Sequence, residues 1–168
     1  GDETTASGYA STAMGYETTA SGSRSTAMGR ITIASGTYST AMGAVTTASG
    51  NSSTAMGRDT EASASYSTAM GRNTTASDYG SLVIGQFNSS GSSATSATSF
   101  STANTAFVIG NGADSSNISD AFSILFDGTT NIAGSVTATS FVGDGSGLTG
   151  ITGTSGSFVD LTTDQTIA

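Results

Sequence analysis

Ser11-Thr12-Ala13-Met14-Gly15 returns as Ser25–Gly29, Ser39–Gly43, Ser53–Gly57 and Ser67–Gly71, so Met14, Met28, Met42, Met56 and Met70 stand fourteen residues apart without exception. Between these pentapeptides lies a second block, Thr4-Thr5-Ala6-Ser7-Gly8, repeated at Thr18–Gly22 and Thr46–Gly50. The unit is Thr-Thr-Ala-Ser-Gly-x-x-Ser-Thr-Ala-Met-Gly-x-x, and a fixed period of this kind marks a repeat architecture. A sixth, altered copy runs from Thr74-Thr75-Ala76-Ser77-Asp78 to Ser81-Leu82-Val83-Ile84-Gly85, with Ile84 on the Met register.

Fourteen residues also make two heptads, but a coiled coil wants two large apolar residues in every seven, and this unit offers about one in fourteen. Gly comes twice per unit, at a cost of ~1 kcal/mol each in a helix interior, and the β-branched Thr residues favour strands. Each half-unit reads instead as a five-residue strand and a two-residue turn. Gly8, Gly15, Gly22 and Gly29 are placed to supply the positive φ of the corners. Two strands and two turns close one coil of a narrow β-solenoid. Side chains alternate along a strand, so Thr12 and Met14 share one face, and Ser11 and Ala13 the other. Ala and Ser then fill the coil, and the Met residues form an outer ladder that needs cover. Burying one Met contributes very roughly 1.5–3 kcal/mol.

Composition narrows the function. The chain of 168 residues has seven Phe, five Met and no Trp, too few large side chains for a compact globular core to offset roughly 1–2 kcal/mol of backbone entropy per residue. There is no His, Cys or Lys, and all four basic residues are Arg. The commonest general base, the thiolate, the Schiff-base amine and the usual zinc ligands are thereby missing, and we expect no enzyme activity. A net charge of −8 argues against nucleic acid and anionic membranes as partners. No apolar run approaches the ~20 residues of a membrane-spanning helix, no signal peptide is visible, and the abrupt start at Gly1-Asp2 reads as a fragment or processed piece.

The repeat resembles the YadA-like head repeat of trimeric autotransporter adhesins, the haemagglutinin-type fourteen-residue repeat, whose core is Ser-x-Ala-x-Gly. Five copies from Ser11–Gly15 to Ser67–Gly71 match that core, Ser81–Gly85 matches with Val for Ala, and Ala106-Phe107-Val108-Ile109-Gly110 is looser. The resemblance implies an all-β fold: a left-handed parallel β-roll (solenoid) that is an obligate homotrimer. Met14, Met28, Met42, Met56, Met70, Ile84 and Ile109 would then form the trimer core. The expected organisation is repeats at 1–87, an insertion or loop at 88–105, capping β segments at 106–150 and a Gly/Ser/Thr-rich shaft or linker at 151–168. The stretch Gly134–Ile151 is similar to segments of tailed-bacteriophage fibres, where such segments join a head-repeat module to a shaft.

The turn positions vary while the frame does not. One turn carries Tyr9, Arg24, Tyr38 and Tyr66, the other Arg30, Arg58 and Arg72. These are candidates for a receptor-facing stripe, against plain surface drift or pairing of the Arg residues with Glu17, Asp59 or a neighbouring chain. Asn111, Asp114, Asn117 and Asp120 recur every three residues, followed by Asp127 and Asn131. Their spacing departs from a calcium loop, and turn formation is the simpler reading, so no metal or cofactor is assigned. Gly143-Asp144-Gly145-Ser146-Gly147 lacks the Lys of a phosphate loop. The expected function is a non-enzymatic structural and adhesive trimeric fibre module, part of a bacteriophage tail fibre that spaces or presents a host-receptor-binding surface. Its partners would be its own copies, neighbouring fibre segments and a host-surface glycan or protein, at the virion surface. The head of a bacterial trimeric autotransporter adhesin, extracellular on a cell surface, is the alternative. An ice-binding solenoid, using the column Thr4, Thr18, Thr32, Thr46, Thr60 and Thr74, is the third reading.

Overall fold

The computed structural model describes residues 1–91, 94–140, 142 and 149. Gly1–Val136 form one compact unit. The expected shaft at 151–168 and the loop Gly143–Gly147 lie outside the described residues.

The described residues form no helix; they wind as a β-solenoid. The Thr-Ala-Met-Gly segments make long strands: β2 (Thr12–Tyr16), β4 (Thr26–Arg30), β6 (Thr40–Ala44), β8 (Thr54–Arg58), β10 (Thr68–Arg72) and β12 (Leu82–Gln86). Between them lie two-residue strands: β1 (Thr5–Ala6), β3 (Thr19–Ala20), β5 (Ile33–Ala34), β7 (Thr47–Ala48), β9 (Glu61–Ala62) and β11 (Thr75–Ala76). The short strands stack into a six-stranded sheet. The long ones begin a nine-stranded sheet completed by β13 (Thr105–Asn111), β14 (Asp120–Leu125) and β15 (Thr130–Ile132). Pairing is parallel at a fourteen-residue offset from Met14↔Met28 through Met70↔Ile84, and β13 resumes the register with Ile84↔Ile109. From there the sheet continues antiparallel through β14 and β15.

The two halves of the repeat are not equal strands, as the sequence led us to expect. The N–H groups of Ser7 and Gly8 both donate to Ala20 O, at 3.0 and 3.1 Å, and those of Ser21 and Gly22 share Ala34 O in the same way. Two donors on one acceptor end the ladder, so the chain leaves the sheet after Thr-Ala. The corners also differ from expectation. Gly15 and Gly29 do take positive φ, at 125° and 122°, but Gly8 and Gly22 do not. What Gly22 supplies is thinness: a Cβ there would lie 2.0 Å from Gly36 O in the next coil. The left-handed residue of each corner is the second variable one, among them Ile31 at φ 55° and Val45 at 58°, where a β-branched side chain is disfavoured. The Ile31 N–H donates to Tyr16 O and the Val45 N–H to Arg30 O. A repeated hydrogen bond to the preceding coil thus holds the strained conformation whatever residue falls there.

The interior is as small as the alternation requires. Ala27, Ala41, Ala55 and Ala69 from the long strands meet Ala20, Ala34, Ala48, Ala62 and Ala76 from the short ones, all fully buried. Val83 and Val108 are the largest side chains fully enclosed among the described residues. Ser53, Ser67 and Ser81 line the same space and donate their hydroxyls to the carbonyls of Gly50, Ala64 and Asp78, which closes the turn before each long strand. Thr18, Thr32, Thr46, Thr60 and Thr74 also face inward, at 0–1% exposure. This removes the ice-binding reading as stated, because a buried Thr column cannot order water on a flat outer face. Their Oγ1 atoms have no hydrogen-bond partner among the described residues.

An enclosed hydroxyl without a partner makes a direct prediction. Thr46→Val keeps the shape and replaces the hydroxyl by a methyl group, so stability should be unchanged or rise by up to about 1 kcal/mol. Chemical denaturation measures this, and a loss greater than that would show that the hydroxyl is satisfied.

Candidate functional site

The outer face of the nine-stranded sheet runs the length of the described solenoid. The pairing register sets Met14, Met28, Met42, Met56, Met70, Ile84 and Ile109 side by side in one column. All seven residues expected to cover one another in self-association therefore lie together. The column continues further than the repeat suggested. Phe122 sits opposite Ile109, and Ile132 opposite Phe122, so one apolar row crosses all nine strands. These last two members were missed because they lie on antiparallel strands outside the fourteen-residue phase; the alternation Phe122-Ser123-Ile124 was the available signal.

A second column runs beside the first. It is Thr12, Thr26, Thr40, Thr54 and Thr68 in the coils, and becomes Leu82, Phe107 and Ile124 at the far end. A third is Tyr16, Arg30, Ala44, Arg58, Arg72, Gln86 and Asn111. Met28 through Ile84 are half-buried, and Met14, which starts the column, is 53% exposed. The outward column of the other sheet, Thr5, Thr19, Ile33, Thr47, Glu61 and Thr75, has a single apolar member. Of the two outer faces, only that of the long strands presents a continuous apolar surface, and covering a half-exposed Met or Ile there contributes on the order of 1 kcal/mol.

The variable corners form two edges. On the edge that follows the short strands, Arg24 lies 5.4 Å from the ring centroids of both Tyr9 and Tyr38, and its Nη1 donates to the Tyr38 hydroxyl at 3.2 Å. Tyr9 is 75% exposed, so the cluster stands in solvent. Tyr66 lies further along the same edge, against Tyr79 at 5.2 Å between centroids. Arg30, Arg58 and Arg72 belong to the opposite edge, so the candidate contact residues do not converge on one patch. Arg58 Nε pairs with Asp59 Oδ2 at 3.1 Å, an exposed pair of little energetic weight. Arg72 stacks over Phe87 at 5.1 Å rather than on a carboxylate. On this edge the Tyr16 phenol is pushed up by its hydrogen bond to Glu17 and by that carboxylate's charge.

A third set of residues, unforeseen, closes the end of the short-strand sheet. Asp78 stands where the earlier coils have Gly8, Gly22, Gly36, Gly50 and then Ala64, and is 1% exposed. Its carboxylate accepts the N–H groups of Thr95, Ser96 and Thr105. Asn88 accepts the Thr75 N–H and donates to Thr75 O, so one side-chain amide does for the edge strand β11 what a further coil would do. Asp120 accepts from the Ser89 and Ser90 N–H groups and the Ser89 hydroxyl. The segment after Phe87 is thereby drawn along the last coils, with Ser77, Tyr79 and Ser65 donating N–H bonds to Gly91, Ser96 and Ala97.

The oxygen-rich run is engaged in the same way. Asp114 accepts the N–H groups of Ser116 and Asn117 and the Asn117 side-chain amide, and these bonds hold its carboxyl below the ordinary range. Thr129 does the same for Asp127. The sign is that of a depressed acid: the stabilisation is present at neutral pH and is lost as pH falls through the lowered value. Asn111 accepts the Ser119 hydroxyl. Among the described residues no three His, Cys, Asp or Glu groups gather at metal-binding distance.

Residues 6–30, 34–60 and 62–88 each match the YadA head domain repeat family, two repeat copies to a match. No curated protein and no solved structure matches the chain significantly.

The closure predicts its own test. Asp78→Ala leaves three backbone N–H groups without their charged acceptor, which should cost about 3 kcal/mol or more. Hydrogen exchange at the Thr95, Ser96 and Thr105 amides should accelerate accordingly, while the amides of β2 to β8 stay protected.

Proposed function

We propose, from the match of residues 6–30, 34–60 and 62–88 to the YadA head domain repeat family, that this chain is a non-enzymatic, adhesive fibre module that works as a homotrimer on a biological surface. One observation carries the reading: an apolar column crosses all nine strands of one sheet and is left half-exposed by the chain's own fold. A solenoid whose interior holds little beyond Ala, Ser and Thr has no spare hydrophobic stabilisation, and three copies that turn this face to a common axis would supply it. The left hand of the roll and the threefold axis are what the family implies.

The mechanism is mechanical. Backbone ladders run along the axis and carry tension or bending from coil to coil. The shared face holds three chains in register, and the variable corners point outward. Each weak corner contact is then presented three times, and avidity replaces affinity. Tyr9, Arg24 and Tyr38 form the corner cluster best suited to touch a glycan or protein, since aromatic and Arg side chains supply most hot-spot contacts. The absence of His, Cys and Lys, with the carboxylates of Asp78, Asp114, Asp120 and Asp127 bonded to backbone N–H groups, supports a role without catalysis.

Two settings use such a module. The family match supports the head of a trimeric autotransporter adhesin on a cell surface. The similarity of Gly134–Ile151 to phage-fibre segments supports a virion tail fibre. Flanking genes decide between them: baseplate and tail genes go with the virion, and a membrane β-barrel at the end of the same reading frame goes with the adhesin.

The oligomer is tested directly. Sedimentation equilibrium should return three times the chain mass, and Met42→Asp, which puts one unpaired charge per chain into the shared face, should return the monomer. A monomeric parent, or a Met42→Asp trimer as stable as the parent, overturns the reading.

A further inference from the structure

We propose that the contact between copies is anchored at one end, on the outer face of β12 to β15, and that the Met-bearing coils add only a weak continuation. The inference rests on the self-association reading above and adds where along the solenoid the partner, a second copy of this chain, is held.

The second column is what distinguishes this end. In β2 to β10 the residue beside each Met is Thr, so one apolar row is flanked by hydroxyls. At β12 the same register position becomes Leu82, at β13 Phe107 and at β14 Ile124. The apolar strip doubles in width, and the Phe107 and Phe122 rings lie 5.9 Å apart across it. The side chains there are left open: Leu82 is 37% exposed and Ile132 47%.

Two further observations point the same way. The long-strand sheet has nine strands and the short-strand sheet six, so β13 to β15 carry the outer face past the last short strand, while Val108 and Ser123 keep their inner side buried. Beyond this, the third column carries Arg30, Arg58 and Arg72 along the coils but neutral Gln86 and Asn111 at the end. Copies approaching with the same face bring no Arg together there, and the nearby Asp120 carboxylate is held by Ser89 and Ser90. The occupant is a copy of the chain because the strip is continuous with the Met column that the self-association reading covers.

The experiment compares equal losses at the two places. Leu82→Thr with Phe107→Thr and Ile124→Thr carries the Thr column to the end of the sheet. Met28→Thr with Met42→Thr and Met56→Thr removes the same number of apolar side chains from the coils. Dissociation is followed by sedimentation equilibrium at the urea concentration where the parent is half-dissociated. The end variant should raise the dissociation constant roughly 100-fold or more, and the coil variant about 10-fold or less. A coil variant that weakens association as much as the end variant overturns the anchor and leaves self-association standing; a monomeric parent overturns both. If the end variant loses its strand signal in circular dichroism, the decision passes to Thr54→Leu with Thr68→Leu, which extends the double strip into the coils. That variant should associate about 10-fold more tightly, and unchanged or weaker association overturns the proposal.

Discussion

A coil of fourteen residues leaves room between its two sheets for Ala, Ser and Thr and, at the far end, for Val83 and Val108. Every other feature answers to that limit. Large side chains cannot enter, so Met must stand outside, and because every coil is the same length the Met residues stand in one column. A domain normally offsets its chain entropy by burying bulky apolar groups. Here the compensation is divided between continuous backbone ladders within the chain and an apolar face that the chain leaves partly uncovered.

The same stacking explains how conformations that are unfavourable alone become regular. Ile31 and Val45 sit in the left-handed region, where a lone β-branched residue would be strained. Each corner amide, however, is tied to the carbonyl of the coil before it. One corner therefore enforces the next, and the variable positions are free to change their side chains without changing their backbone. Variation at the corners and constancy in the frame are two consequences of one hydrogen-bond pattern.

A solenoid must also stop, since an open sheet edge invites further pairing. The two sheets stop differently. The short-strand sheet is closed by side chains, with Asn88 in place of the next strand and Asp78 gathering three N–H groups from the segment that follows. The long-strand sheet runs on through β13 and reverses direction in β14 and β15. This difference leaves a doubly apolar strip at one end of an otherwise uniform roll, and gives the proposed trimer a definite end from which its register can be set.

The strict Met spacing and the Ser-x-Ala-x-Gly frame were enough, by themselves, to determine a narrow parallel solenoid with Ala and Ser inside and a Met–Ile ladder outside, because period and side-chain alternation are local properties of a strand. They did not determine which half of the repeat stays in the ladder, nor that Thr18 and its equivalents turn inward, since Thr suits either face of a strand. The pairing of Arg24 with Tyr9 and Tyr38, the tether at Asp78 and the entry of Phe122 and Ile132 into the apolar column join residues from different coils or from beyond the repeat. Only the tertiary structure decided these, for the physical reason that spatial neighbours across a register have no fixed distance along the chain once the fourteen-residue phase is broken.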